Sequence, residues 1–136
     1  VWSSTLAVAP VLAELGAMWI ANGVAGRTAA AKRAESTARQ ALFSGAMEGF
    51  DVSSHPSSLY GWLRLPAPWT TADFVGTLRR QGVDVIGSDA FHVGTDPPSA
   101  VRLCLGAPAT REDLSRGLDI VRQVLTSQPS PSVEVL

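Results

Sequence analysis

The stretch Ala100 to Gly106, read AVRLCLG, constrains the fold of this chain more than any other. Val101, Leu103 and Leu105 alternate with Arg102 and Cys104, the two-residue period of a β-strand. One face of that strand is aliphatic and ready for a core. The other carries a guanidinium that keeps its charge and presents a planar fork of donors. Buried unpaired, such a group is heavily penalised, so it must meet a carboxylate, a set of carbonyls or water in a cleft. Arg102 is therefore the candidate binding residue. A carboxylate-bearing ligand is the functional reading, and an exposed edge-strand arginine is the plain alternative.

The chain has 136 residues, enough for one domain with a real core or for part of a larger one. Hydrophobic content of 46% against 17% charged argues against disorder. Net charge is −1 and the arginines are scattered, which leaves no electrostatic footprint for nucleic acid. The single cysteine, Cys104, excludes an internal disulfide and suits a reducing compartment. Its expected place is that of a small buried hydrophobe rather than a nucleophile. His55 and His92 stand far apart without a Cys/His cluster, so no metal site is expected. Asp89 and His92 read as turn chemistry rather than a catalytic pair. The longest apolar run, Leu6 to Ile20, is broken by Pro10, Glu14 and Gly16 and is too short and mixed to span a bilayer. Val1 is not an initiator, and no signal-peptide layout follows it. A cytoplasmic protein is expected, its chain beginning as though cut from something longer.

Taken in order, Ala9 to Asn22 reads as a helix with Leu12, Leu15, Trp19 and Ile20 on one face and Asn22-Gly23 as its stop. So apolar a helix needs more cover than this chain offers, which points to a missing domain or partner chain. Val24 to Phe43 is a second helix of strong helix formers. Ala31, Ala34, Ala38, Ala41 and Leu42 form its packing stripe, while Glu35 and Arg39 stand four apart on a solvated face. Residues 45–58, rich in Gly, Ser and Pro, read as a linker. Leu59 to Leu65 is expected as a strand buried on both faces, and Thr70 to Gln81 as a helix with Thr70 and Asp73 at capping-box spacing. A short strand at Val83 to Ile86, a turn, a brief extended piece at Ala90 to Val93 and a polar loop lead to the arginine strand. A last helix follows, capped by Thr110 and Asp113, with Leu114, Leu118, Val121 and Leu125 on its apolar face. Trp19 and Trp62 read as core, and Trp69 as a surface anchor. The expected class is α+β: two N-terminal helices, then a small β-α-β-β-α domain with helices on one side of a sheet. The expected division is a helical segment over 1–44, the linker, the small domain over 59–126 and a mobile tail over 127–136.

From Leu59 to Leu125 the sequence resembles the C-terminal small domain of fold-type I pyridoxal-phosphate (PLP) enzymes. The segments that carry this are GWLRLPAPW, TTADFVGTLRRQGVDVIGSDAF, AVRLCLGAP and REDLSRGLDIVRQVL. Within that superfamily it is most similar to the aminotransferase-like domain of MocR regulators, a branch of the GntR transcription factors. PVLAELGAMWIANGVA and AKRAESTARQAL resemble their helices linking large and small domains. At Ile86-Gly87 the sequence departs from relatives that carry Pro before the turn. The resemblance implies that Arg102, in a strand of the form A-x-R-L-x-[LF]-G, pairs with the α-carboxylate of an amino-acid substrate or effector. It also implies a homodimer, and PLP held by a large domain of the same protein. DNA would be contacted only through a further domain, and no membrane is involved. The cofactor-binding lysine of the family lies in a Ser-rich segment. Lys32, the only lysine here, stands in an Ala-rich helix and does not match it. By itself this stretch is thus expected neither to hold the cofactor covalently nor to catalyse transamination. The rival expectations are the small domain of a metabolic class I/II aminotransferase and an α+β ligand-binding or dimerisation module without PLP ancestry.

Overall fold

The structure, a computed structural model, describes residues 9–127. Its elements run α1 (Pro10–Ala21), α2 (Val24–Ala46), β1 (Val52–Ser54), β2 (Tyr60–Arg64), α3 (Thr71–Arg80) and β3 (Ile86–Gly87). A 3-10 turn (Ser88–Ala90), β4 (Ala100–Cys104) and α4 (Arg111–Thr126) complete it. The expected tail lies outside the described residues, Ser127 apart. By its internal contacts the chain divides between Glu35 and Ser36, within α2.

In the first of these units, Pro10 opens α1, where its missing N–H is not needed. Gly23, at φ 75°, lets the chain leave the helix, and the Asn22 side chain accepts from the Val24 N–H at 3.1 Å to start α2. No residue of α1 is buried. Trp19, expected in a core, is exposed together with Leu12, Met18 and Ile20.

The second unit is a four-stranded sheet in the order β1-β2-β4-β3, antiparallel throughout. Leu63 pairs with Val101 and Gly61 with Leu103, so these side chains share one face. With Leu105 they join Phe43 and Met47 from α2 and its C-terminal end, Phe74 and Leu78 from α3, and Leu114, Leu118 and Val121 from α4 in one core. Each large aliphatic side chain buried this way contributes on the order of 2 kcal/mol. The expected apolar face of α4 is the buried one, with Val124 added. Both helix starts carry the caps their sequences signal. Thr70 Oγ1 accepts from the Asp73 N–H at 3.1 Å, and Thr110 with Asp113 forms a reciprocal box.

Several expectations are corrected. β2 is buried on alternate residues rather than on both faces, because the end of α2, α3 and α4 pack on the side that carries Leu63. The stretch read as a linker contains β1, a Val-Ser-Ser strand too short and polar to show a period, paired to β2. Of Val83 to Ile86 only Ile86 lies in a strand, and Ala90 to Val93 is not extended. The chain instead turns at Ser88–Ala90, closed by the Phe91 N–H donating to the Ser88 carbonyl at 3.0 Å. Trp69 is core, 4% exposed and edge-on to Phe74 at 5.4 Å between ring centroids. The packing face of α2 is also different: Ala31, Ala34 and Ala41 are exposed, while Ser36, Arg39, Gln40 and Phe43 are buried. Phe43 selects that face by resting on Gly61, where an added Cβ would come within 2.5 Å of its ring.

Candidate functional site: an arginine over two aromatic rings

Alternation along β2 and β4 leaves Tyr60, Trp62 and Arg64, with Ala100, Arg102 and Cys104, on the sheet face opposite Leu63 and Leu103. Arg102 sits at its centre. Its direct neighbours across the sheet are Trp62 on β2 and Ile86 on β3. The guanidinium carbon lies 4.6 Å from the centroid of the Tyr60 ring and 4.4 Å from that of Phe91. Phe91 meets Trp62 edge-on at 6.2 Å. Each ring presents its electron-rich face to the charge, an attraction worth about 0.5–2 kcal/mol depending on exposure.

The backbone segments that carry both rings are held by hydrogen bonds. Gln40 Nε2 donates to the carbonyls of Ser58 at 2.9 Å and Tyr60 at 3.0 Å, which holds the start of β2. Arg39 Nη1 donates to the carbonyls of Leu105 at 2.7 Å and Pro108 at 2.8 Å, which holds the end of β4. Arg39 was expected on a solvated face; it is buried because it reaches these two carbonyls. Phe91 is placed by the 3-10 turn, which Ser88, itself buried, ties to the Pro98 carbonyl through its hydroxyl. A cleft of about 220 Å³ opens between Trp62, Ser88, Phe91, His92 and Pro98.

The Arg102 Nε is buried and has no hydrogen-bond partner among the described residues. Arg102 forms no ion pair among the described residues either, unlike Arg64 with Asp51, Arg79 with Asp84 and Arg116 with Asp113. A charge held over two rings, without a carboxylate partner among the described residues, is matched chemically to an anion from outside.

The sequence singles out Arg102; the structure places it on the open sheet face and shows surroundings the sequence did not indicate. Trp62 was expected in the core; it is half-buried beside Arg102 because it shares the parity of Tyr60 and Arg64. No local signal brings Tyr60 or Phe91 to Arg102, although the alternation of β2 puts Tyr60 on the same face and Phe91 follows the departure at Ile86-Gly87. Cys104, expected to be buried, is exposed, since it follows Arg102 on the uncovered face. Asp113, away from this site, titrates below the ordinary 3.8, chiefly through the Thr110 side-chain hydrogen bond, with Arg116 adding to it. Among the described residues no Cys, His, Asp and Glu group could hold a metal ion, and no helix is long and apolar enough to cross a membrane.

No protein-family model matches this chain. It is similar, at 31% identity over 91% of its length, to the uncharacterized HTH-type transcriptional regulator YdeF of Bacillus subtilis. The chain spans 27% of that relative. Its fold is similar to part of an archaeal alanine:glyoxylate aminotransferase, with a TM-score of 0.58 and 17% identity over 68% of this chain and 23% of that one. It is also similar to part of a multiple substrate aminotransferase from Thermococcus profundus, with a TM-score of 0.55 and 19% identity over 64% of this chain and 23% of that one. The fold is thus that of an aminotransferase-like segment, α+β with a four-stranded antiparallel sheet. In sequence this segment resembles part of an HTH-type transcriptional regulator.

Proposed function

We propose that this chain is the small-domain part of a PLP-dependent, aminotransferase-like regulator of the MocR/GntR type. In this reading Arg102 binds the carboxylate of an amino-acid effector or substrate. The domain closes over PLP held by a large domain of the same protein, in a cytoplasmic homodimer that reaches DNA through a further domain. The observation that carries the proposal is the Arg102 guanidinium, centred on the uncovered sheet face without a carboxylate partner among the described residues. The likeness to a transcriptional regulator and to aminotransferases supports the wider frame.

PLP, when bound, supplies an electron sink for chemistry at an amino acid. The residues described fit a carboxylate better than they fit the cofactor. They offer one guanidinium and aromatic rings, while Lys32 lies in the Ala-rich part of α2. No step through the cofactor is therefore assigned to them. What this chain supplies is orientation: a bidentate guanidinium–carboxylate pair holds a planar group in one pose.

Calorimetric titration of the full-length protein with the twenty L-amino acids tests the proposal. At least one is expected to bind, and Arg102→Ala to weaken it by about 30-fold or more, the loss typical of a desolvated charge pair. Unchanged affinity in that variant would leave the second reading, a ligand-binding or dimerisation module without PLP ancestry. The aminotransferase likeness also supports a metabolic enzyme as an alternative. Binding of the full-length protein to promoter DNA decides for the regulator; transamination without DNA binding decides for the enzyme.

A further inference from the structure

We infer that Tyr60 and Phe91 are positioning residues that lock the Arg102 guanidinium so that only its two terminal nitrogens meet a ligand, making the site selective for planar carboxylates over tetrahedral anions. This rests on the carboxylate reading of Arg102 and adds the groups that determine its selectivity.

Three observations combine. Both rings lie within 4.6 Å of the guanidinium carbon, so it is held by contact with their faces. The Nε is buried without a partner, which removes the side-on approach that pairs an anion with Nε and one terminal nitrogen. The backbone carrying each ring is held independently of Arg102, that of Tyr60 by Gln40 on its carbonyl and that of Phe91 by the Ser88 turn, and the Phe91 ring also meets Trp62 edge-on.

Free arginine can meet an anion along more than one edge and reorient to suit its shape. With the Nε edge closed and the group held against the rings, the bidentate edge that remains is the parallel pair of N–H donors, one from each terminal nitrogen. A carboxylate places two oxygens in the plane of those donors. A phosphonate is tetrahedral and directs its third oxygen out of the plane, towards the rings. Holding the group in advance also removes part of the ordering penalty that binding would otherwise carry.

The test uses the full-length protein, titrated calorimetrically with the L-amino acid that binds best in the panel of twenty and with the aminophosphonate of the same side chain. Wild type is expected to prefer the carboxylate by about tenfold or more. Tyr60→Leu and Phe91→Leu are each expected to weaken carboxylate binding by about five- to tenfold and to cut the preference to below threefold. Tyr60→Phe and Phe91→Tyr keep a ring at each position and are expected to stay within twofold of wild type on both counts. Rescue by an aromatic residue, with an unchanged melting temperature, separates positioning from a packing role. If Arg102→Ala abolishes binding while the leucine variants keep wild-type affinity and preference, the inference fails and the carboxylate reading stands. If Arg102→Ala changes nothing, or no amino acid binds, both fail.

Discussion

Replacing Arg39 by Met tests how the last turns of α2 are held to the sheet. In the folded chain one nitrogen, Nη1, donates to the Leu105 carbonyl at 2.7 Å and to the Pro108 carbonyl at 2.8 Å, from a residue only 6% exposed. Methionine keeps most of the stem volume and removes the donors. The Leu105 bond is buried, so no water replaces the lost donor there; its removal should cost about 2–3 kcal/mol, as for a charge-assisted bond whose acceptor is left bare. The Pro108 bond is partly buried and water can take it over, which limits its share to about 0.5–1 kcal/mol. Relief from burying a charge offsets a fraction of this. The net expectation is a loss of about 3 kcal/mol, or roughly 10 °C in melting temperature for a domain near this size. Equilibrium urea unfolding followed by tryptophan fluorescence measures it, with an unchanged slope confirming that the same surface is exposed. A loss below about 1 kcal/mol at equal slope would refute the view that Arg39 pins α2 to the end of β4.

Other expectations follow from single contacts. Gly61→Ala should destabilise the chain by about 2 kcal/mol or more, because the new Cβ meets the Phe43 ring at 2.5 Å; Phe43→Leu in the same chain should recover part of that loss in a double-mutant cycle. Thr110→Ala should cost about 1 kcal/mol in thermal unfolding by removing the acceptor for the Asp113 N–H. The folded-state pKa of Asp113 is depressed, so its stabilisation is fully present above the unfolded carboxylate's pKa, near 3.8, and disappears as pH falls through the lower folded value. Unfolding midpoints should therefore drop less steeply with acid in Asp113→Asn than in wild type, and equal slopes would contradict the assignment.

The sequence signals that proved readable share a physical basis: each is local. The capping pairs Thr70–Asp73 and Thr110–Asp113 sit three residues apart, and Leu114, Leu118, Val121 and Leu125 follow one helical period. Arg102 stood out because a permanent charge interrupts an aliphatic run. What escaped was decided at long range. Arg39 and Gln40 look like ordinary surface residues of an Ala-rich helix, and only the backbone carbonyls they meet beyond β1 show otherwise. The tryptophans exchanged roles for a related reason. In Leu59 to Leu65 the aromatic residues Tyr60 and Trp62 fill the gaps between aliphatic ones and hide the period of two; the parity of Gly61 and Leu63 with the core reveals it once β4 is paired.

The two faces of the sheet are mechanically joined, and Gly61 is where they meet. Its missing side chain lets Phe43 sit directly on β2, which brings Arg39 and Gln40 near enough to hold the strand ends. Gln40 then grips the carbonyl of Tyr60, whose ring covers Arg102 on the opposite face. A residue larger than glycine at position 61 would lift α2, lengthen the Gln40 contact and free the backbone that carries the Tyr60 ring. The geometry of the accessible face thus depends on contacts made on the packed face. The same alternation that sends Leu103 into the core sends Arg102 to the other side, and the end of α2 behind the sheet holds the backbone that carries one of the two rings over it.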